Sequence, residues 1–342
     1  MIIGACGYAA TGSGAIYDFL REFDGIQIPP NDSEFKYTYK VDGLQDLQYH
    51  LMGNYSKTST GDAAIKRFIK ASKFAHVPFV KKPAPTKEYI ALTNEFLDKI
   101  VQGSFKGLEN YDYENCSWLR SVVVLGFKKF IVPIFEKTFR RPYNLWPLKK
   151  LYICIEPENF ETASKEYMRG ILKSMGFDLN KPILLNQPFE GNCPENSFPF
   201  FDDPKAVIID RDPRDVYVAH QKIYFGEGRH MPRGDVRLFV EQYKQVRMHQ
   251  KRENDNGKLF VQFEEFVYNY DKVKQEIMGF LGLHEHSNPK KYFDPSRSVN
   301  NTQLYLRYPD MQSDVKYIEE NLKEYLYDFS QHGEIKHSGK SF

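Results

Sequence analysis

Six residues into the chain the sequence reads Gly7-Tyr-Ala-Ala-Thr-Gly12-Ser13-Gly14, between the apolar run Ile2-Ile3-Gly4-Ala5-Cys6 and a segment of helical periodicity. A glycine-rich turn joining a strand to a helix lets the backbone fold back tightly, aims amide hydrogens at one point and adds the partial positive charge of a helix N-terminus. The following segment carries Ala15, Ile16, Phe19, Leu20 and Phe23 on one face, with Asp18, Arg21 and Glu22 on the other. A further apolar run to residue 30 predicts a second strand and completes the opening of a phosphate-binding βαβ unit. The glycine spacing matches a nucleotide phosphate loop, but Ser13 stands where a nucleoside triphosphatase needs Lys, and Gly14 where it needs a magnesium-binding hydroxyl. Phosphoryl transfer from a nucleoside triphosphate is therefore disfavoured.

Strand-like runs resume at Leu151 to Ile155, Pro182 to Leu185, Ala206 to Ile209 and Leu259 to Phe263, with helical patterns between several of them. This alternation predicts a parallel sheet with helices on both faces. Asp271 to Leu281 repeats apolar residues at Val273, Ile277, Phe280 and Leu281, and Gly282 is placed to stop that helix. Residues 54 to 150 are mostly helical in pattern, rich in Lys, Phe and Tyr, and broken by Pro78, Pro83, Pro85, Pro133, Pro142 and Pro147. They read as a helical insertion or lid within a single domain spanning residues 1–342, followed by a polar tail from about residue 331.

Lys plus Arg number 47 against 45 Asp plus Glu, so no general attraction to nucleic acid or an anionic membrane is expected and any anion site must be local. Cys6, Cys116, Cys154 and Cys193 lack metal-ligand spacing and read as free thiols; no metal is expected. The first residues lack the basic stretch and long apolar run of a signal peptide. The most apolar later segment, Ser121 to Phe135, is interrupted by Lys128 and Lys129 and is too short to span a bilayer, so a cytoplasmic protein without a transmembrane segment is expected. An aromatic share of 15% fits a large core. Oligomeric state is not fixed by the sequence, and a homodimer stays open.

A second anion motif lies at Arg211-Asp-Pro-Arg214-Asp215, directly after the apolar run from Ala206. Arg211 is thereby predicted at the carboxyl end of a parallel strand, where ligands of open α/β sheets bind. With these two segments the chain resembles the sulfotransferases that use 3′-phosphoadenosine 5′-phosphosulfate. The resemblance covers the first fifty residues and most of Leu151 to Leu306. It implies a P-loop NTPase-like three-layer α/β fold with a central parallel sheet, and a phosphosulfate held by Ala10, Thr11, Gly12, Ser13, Gly14 and Ala15. It also implies a 3′-phosphate held by Arg211, with Arg214, Ala219 and the late-loop Arg297 nearby, and a glycan or small-molecule acceptor in place of nucleic acid. Leu259 to Leu283 looks like the family's strand, acidic turn and Phe-Leu-Gly-Leu helix ending.

Two positions depart from the family pattern: Ala10 replaces the usual loop Lys, and Ala219 replaces the Ser that binds the 3′-phosphate. A cation must then come from elsewhere, and Lys40 is a candidate. The family's general base is a His or Glu after the strand before the arginine motif, where this chain has Asn186-Gln187-Pro188-Phe-Glu190. Glu190 is the nearest ionisable group, followed by His220 and His230, while Asn186 and Gln187 are candidates to orient the acceptor. A P-loop phosphotransferase and a non-catalytic nucleotide-binding relative are the competing readings.

Overall fold

The computed structural model describes residues 1–30, 34–53, 57–74, 87–109, 111, 117–142, 148–224 and 231–335. Its strands are β1 (Ile2–Gly7), β2 (Gly103–Gly107), β3 (Lys149–Ile153), β4 (Ile183–Asn186), β5 (Pro204–Asp210) and β6 (Lys258–Gln262). Four of them form an all-parallel sheet in the order β4-β1-β5-β6, with Ile3 opposite Leu184 on one side and Lys205 on the other.

Each central strand is apolar on both faces, as a sheet covered by helices on both sides requires. Ile2, Cys6, Ala206 and Ile208 pack into one core with residues of helices Lys87–Ile100 and Phe160–Ser174, among them Phe96, Tyr167 and Met168. Ile3, Ala5, Val207 and Ile209 point the other way, into a core shared with α1 (Ser13–Leu20) and with helices Phe263–Tyr268 and Tyr270–Leu281. The result is the expected three-layer α/β architecture around a central parallel sheet. A third cluster, around Tyr217, Phe239, Tyr243 and Ile318, joins helices Pro213–Lys222, Val236–Gln245 and Gln312–Asn321. Gly282, at φ 65°, ends the helix Tyr270–Leu281 as its sequence predicts.

Three local expectations are corrected. The run at Leu151 lies outside the parallel sheet: β3 pairs antiparallel with β2, Phe105 opposite Leu151, in a separate two-stranded ribbon. Only Leu151 of β3 is buried, while Lys149 and Lys150 are exposed, so the strand lacks the two apolar faces that a place in the parallel sheet demands. The run before residue 30 makes an isolated bridge, Gln27 to Ile183, in place of a strand, and Pro29 and Pro30 supply no amide donors to extend it. The acidic segment after β6 is the short helix Phe263–Tyr268, where a turn was expected.

Between residues 54 and 150 the described elements are β2, the start of β3 and helices Thr58–Phe74, Lys87–Ile100, Trp118–Phe130 and Val132–Phe139. Pro133 falls in the first turn of the last of these. Pro78, Pro83, Pro85, Pro147, Cys116, His230 and tail residues 336–342 lie outside the described residues. Among the described residues no helix is long and apolar enough to cross a membrane.

Candidate active site

The chain leaves β1, returns to the sheet at β4 on one side and then crosses to β5 on the other. Such a change of direction opens a crevice beyond the carboxyl ends of the strands. A cleft of about 870 Å³ lies there, with Gly7, Ala10 and Gly12 to Ala15 of the glycine-rich loop in its wall.

The loop's shape follows from its small residues. Gly12 sits at φ +100°, and a Cβ there would come within 2.9 Å of the Phe263 ring. The fully buried Thr11 hydroxyl accepts from the Tyr8 amide (2.8 Å) and lies 3.0 Å from the carbonyl oxygens of both Tyr8 and Ile209. Thr11 thus fastens the loop to β5 and is not among the cleft-lining residues. The N-terminus of α1 has no side-chain cap, which leaves it able to take an anion. A Cβ on Gly14 would meet nothing within 4 Å. From the end of β4, Gln187 donates through Nε2 to Ser13 Oγ (3.0 Å), and its Oε1 accepts from the Gly7 amide (3.3 Å). One amide therefore holds both ends of the loop.

The arginine motif is placed differently from a simple phosphate clamp. Arg211, 1% exposed, donates to the backbone carbonyls of Ala10 (3.2 Å) and Asn301, and its guanidinium lies 5.1 Å from the centre of the Phe263 ring. It sits behind the cleft and ties the glycine-rich loop to the late segment. Burial pushes the carboxyls of Asp215 and Glu264 up, to about 7 and about 8, reinforced by Asp212 and opposed by Arg211. Asp215 Oδ2 has no hydrogen-bond partner among the described residues, so no hydrogen bond there offsets the cost of charging the buried carboxyl. Arg214 is engaged by Asp212 (2.7 and 2.9 Å) and Glu319 (2.9 Å), and Ala219 is buried in the third apolar cluster.

Of the other candidates, Glu190, His220 and Arg297 line the cleft and Lys40 does not. Glu190 is exposed by area, yet partial desolvation of its carboxyl still raises its affinity for a proton. Lys40 lies beside the Tyr37 ring, where burial lowers its pKa to about 8 against the opposing pull of Asp42.

Sequence reasoning missed the cleft's most strongly held cation. Arg247 makes a bidentate pair with Asp210 (2.7 and 3.0 Å) and lies between the rings of Tyr243 (3.5 Å) and Tyr8 (4.0 Å). No motif marks Arg247, but Asp210 at the end of a buried strand was a signal, because a buried carboxylate there demands a cation. Lys36, paired with Glu34 at 2.5 Å, also lines the cleft.

The fold and site define an α/β protein with a glycine-rich loop lining a cleft at the switch point of a parallel sheet. No family model and no curated protein matches the sequence. Among solved structures the chain is similar to the sulfotransferase domain from the curacin biosynthetic pathway, at 12% identity and a TM-score of 0.38, over 96% of this chain and 98% of that one. A likeness at this level carries no weight for the reaction.

Proposed function

We propose that the chain is a sulfotransferase that moves the sulfuryl group of 3′-phosphoadenosine 5′-phosphosulfate to a hydroxyl or amine of a glycan or small-molecule acceptor. The observation that carries this reading is the glycine-rich loop, which opens on the cleft with Ser13 in place of an ammonium while Arg247, Arg297 and Lys36 stand around it. These residues suit a donor whose 5′ and 3′ groups are both anionic and which needs no magnesium. The donor supplies an activated sulfur–oxygen bond. The loop amides and Ser13 would hold its 5′ end, and Arg297 or Arg247 would meet the 3′-phosphate through a charged hydrogen bond. Arg211 would act through the loop that it braces. Glu190 is the favoured base: it would take the acceptor's proton as the acceptor oxygen or nitrogen bonds to sulfur and the sulfur–oxygen bond to the 5′-phosphate breaks, releasing adenosine 3′,5′-bisphosphate. His220 is the second candidate.

The test is calorimetric titration of adenosine 3′,5′-bisphosphate against ADP and ATP, with and without magnesium. Magnesium-independent binding that requires the 3′-phosphate is expected. Arg297→Ala should weaken it by about 1.5–3 kcal/mol without lowering the melting temperature, whereas Arg211→Ala should lower both. Preference for ATP with magnesium would replace this reading with a phosphotransferase. Tight bisphosphate binding with no sulfuryl transfer across acceptors would favour a nucleotide-binding module.

A further inference from the structure

We propose that the helices Trp118–Phe130 and Val132–Phe139 lie in the plane of an anionic lipid surface, a role independent of the sulfuryl donor. Trp118–Phe130 is apolar around most of its circumference, yet none of its 13 residues is buried. A helix of that composition in water is normally covered. Here Trp118 is 75% exposed, Leu119 69%, Val123 66% and Phe130 66%, and Ile134 and Phe139 of the second helix add 61% and 62%.

Charge identifies the occupant. Residues 117–150 hold eight Lys or Arg and one acidic residue, Glu136, although the whole chain is almost balanced. Lys128 and Lys129 lie in the last turn of the first helix, and Arg140 and Arg141 directly follow the second; none of the four forms an ion pair among the described residues. Apolar side chains beside a cluster of long basic ones match the boundary between acyl chains and anionic headgroups, where Lys and Arg extend to the phosphates. A second copy of the same surface would instead bring like charges together. At about 20 Å, the longer helix is too short to cross a hydrocarbon core of about 30 Å, so it lies along the surface.

The chain provides its own probe, because its two tryptophans, Trp118 and Trp146, both fall in this segment. With vesicles of phosphatidylcholine containing phosphatidylglycerol, the emission of the unmodified protein should shift to the blue and be quenched by brominated acyl chains. Phosphatidylcholine alone should give much less. The double variant Val123→Glu/Phe130→Glu, changed at exposed positions, should keep its far-ultraviolet dichroism and lose vesicle flotation roughly tenfold. Lys128→Glu/Lys129→Glu should abolish the preference for the anionic lipid. An unchanged emission spectrum, or equal binding to both vesicle types, overturns the proposal. So does lipid-free self-association that the Val123→Glu/Phe130→Glu variant dissolves, since the surface would then be an interface between copies of this chain.

Discussion

Arg247 lies 4.0 Å from the centre of the Tyr8 ring, so a cation in the cleft wall rests on a residue of the glycine-rich loop. The same guanidinium is clamped by Asp210 at the end of β5, and Tyr8 in turn donates from its hydroxyl to the Gly191 carbonyl at 3.0 Å. Three segments distant in sequence therefore share one charge. Arg247→Ala would leave Asp210 the Arg211 amide and, as ion-pair partner among the described residues, only Arg252, whose side chain is 39% exposed, and should cost about 3–5 kcal/mol in urea unfolding. Arg247→Lys keeps the charge but loses the bidentate fork and much of the stacking, so a loss of about 1–3 kcal/mol is expected. Wild-type stability in the alanine variant would contradict the clamp.

Gly12 and Gly14 should separate folding from binding. Gly12→Ala places a methyl against Phe263 at a positive φ, and about 1–3 kcal/mol of stability should be lost in thermal unfolding. Gly14→Ala meets open space in the first turn of α1, so stability should hold or rise by about 0.5–1 kcal/mol. Its methyl would project where an anion must approach the helix, and calorimetry should show weaker bisphosphate binding. Equal affinity in Gly14→Ala would move the anion seat elsewhere.

Glu264 should give the fold a measurable pH dependence. Its carboxyl accepts from the Asp212 amide (3.0 Å) and from Gln262 Nε2 (2.7 Å), while burial raises its pKa to about 8. An acid whose folded pKa exceeds its unfolded value contributes stability that is complete below the ordinary carboxylate range and is lost as pH climbs toward 8. The slope is at most about 1.4 kcal/mol per pH unit for one group. Glu264→Gln, neutral throughout, should flatten the melting temperature against pH between about 5 and 8, and an unaltered slope would show that another group is responsible.

The parts of the fold legible in the sequence are those in which the chain's own pattern decides. β1, β4, β5 and β6 announce themselves through apolar runs, because a parallel strand buried on both faces has room for little else. β2 does not, and β3 shows as a strand without showing its place, since an exposed ribbon tolerates Lys106, Lys149 and Lys150. The glycine-rich loop was readable for the same local reason, and nine of the sixteen candidate site residues line the cleft: Ala10, Gly12, Ser13, Gly14, Ala15, Gln187, Glu190, His220 and Arg297. Arg247 was not readable, because its partner Asp210 lies 37 residues away and only folding brings them together. Periodicity likewise identifies an apolar helix near Val123 without saying whether anything covers it.

The fastening of the loop has a kinetic consequence. Thr11 ties it to β5, Gln187 to β4 and Arg211 to the segment at Asn301, so the curvature that would receive an anion is set when the chain folds. A ligand that meets a finished seat has little ordering left to do, and its capture should proceed in a single exponential phase whose rate rises linearly with ligand concentration.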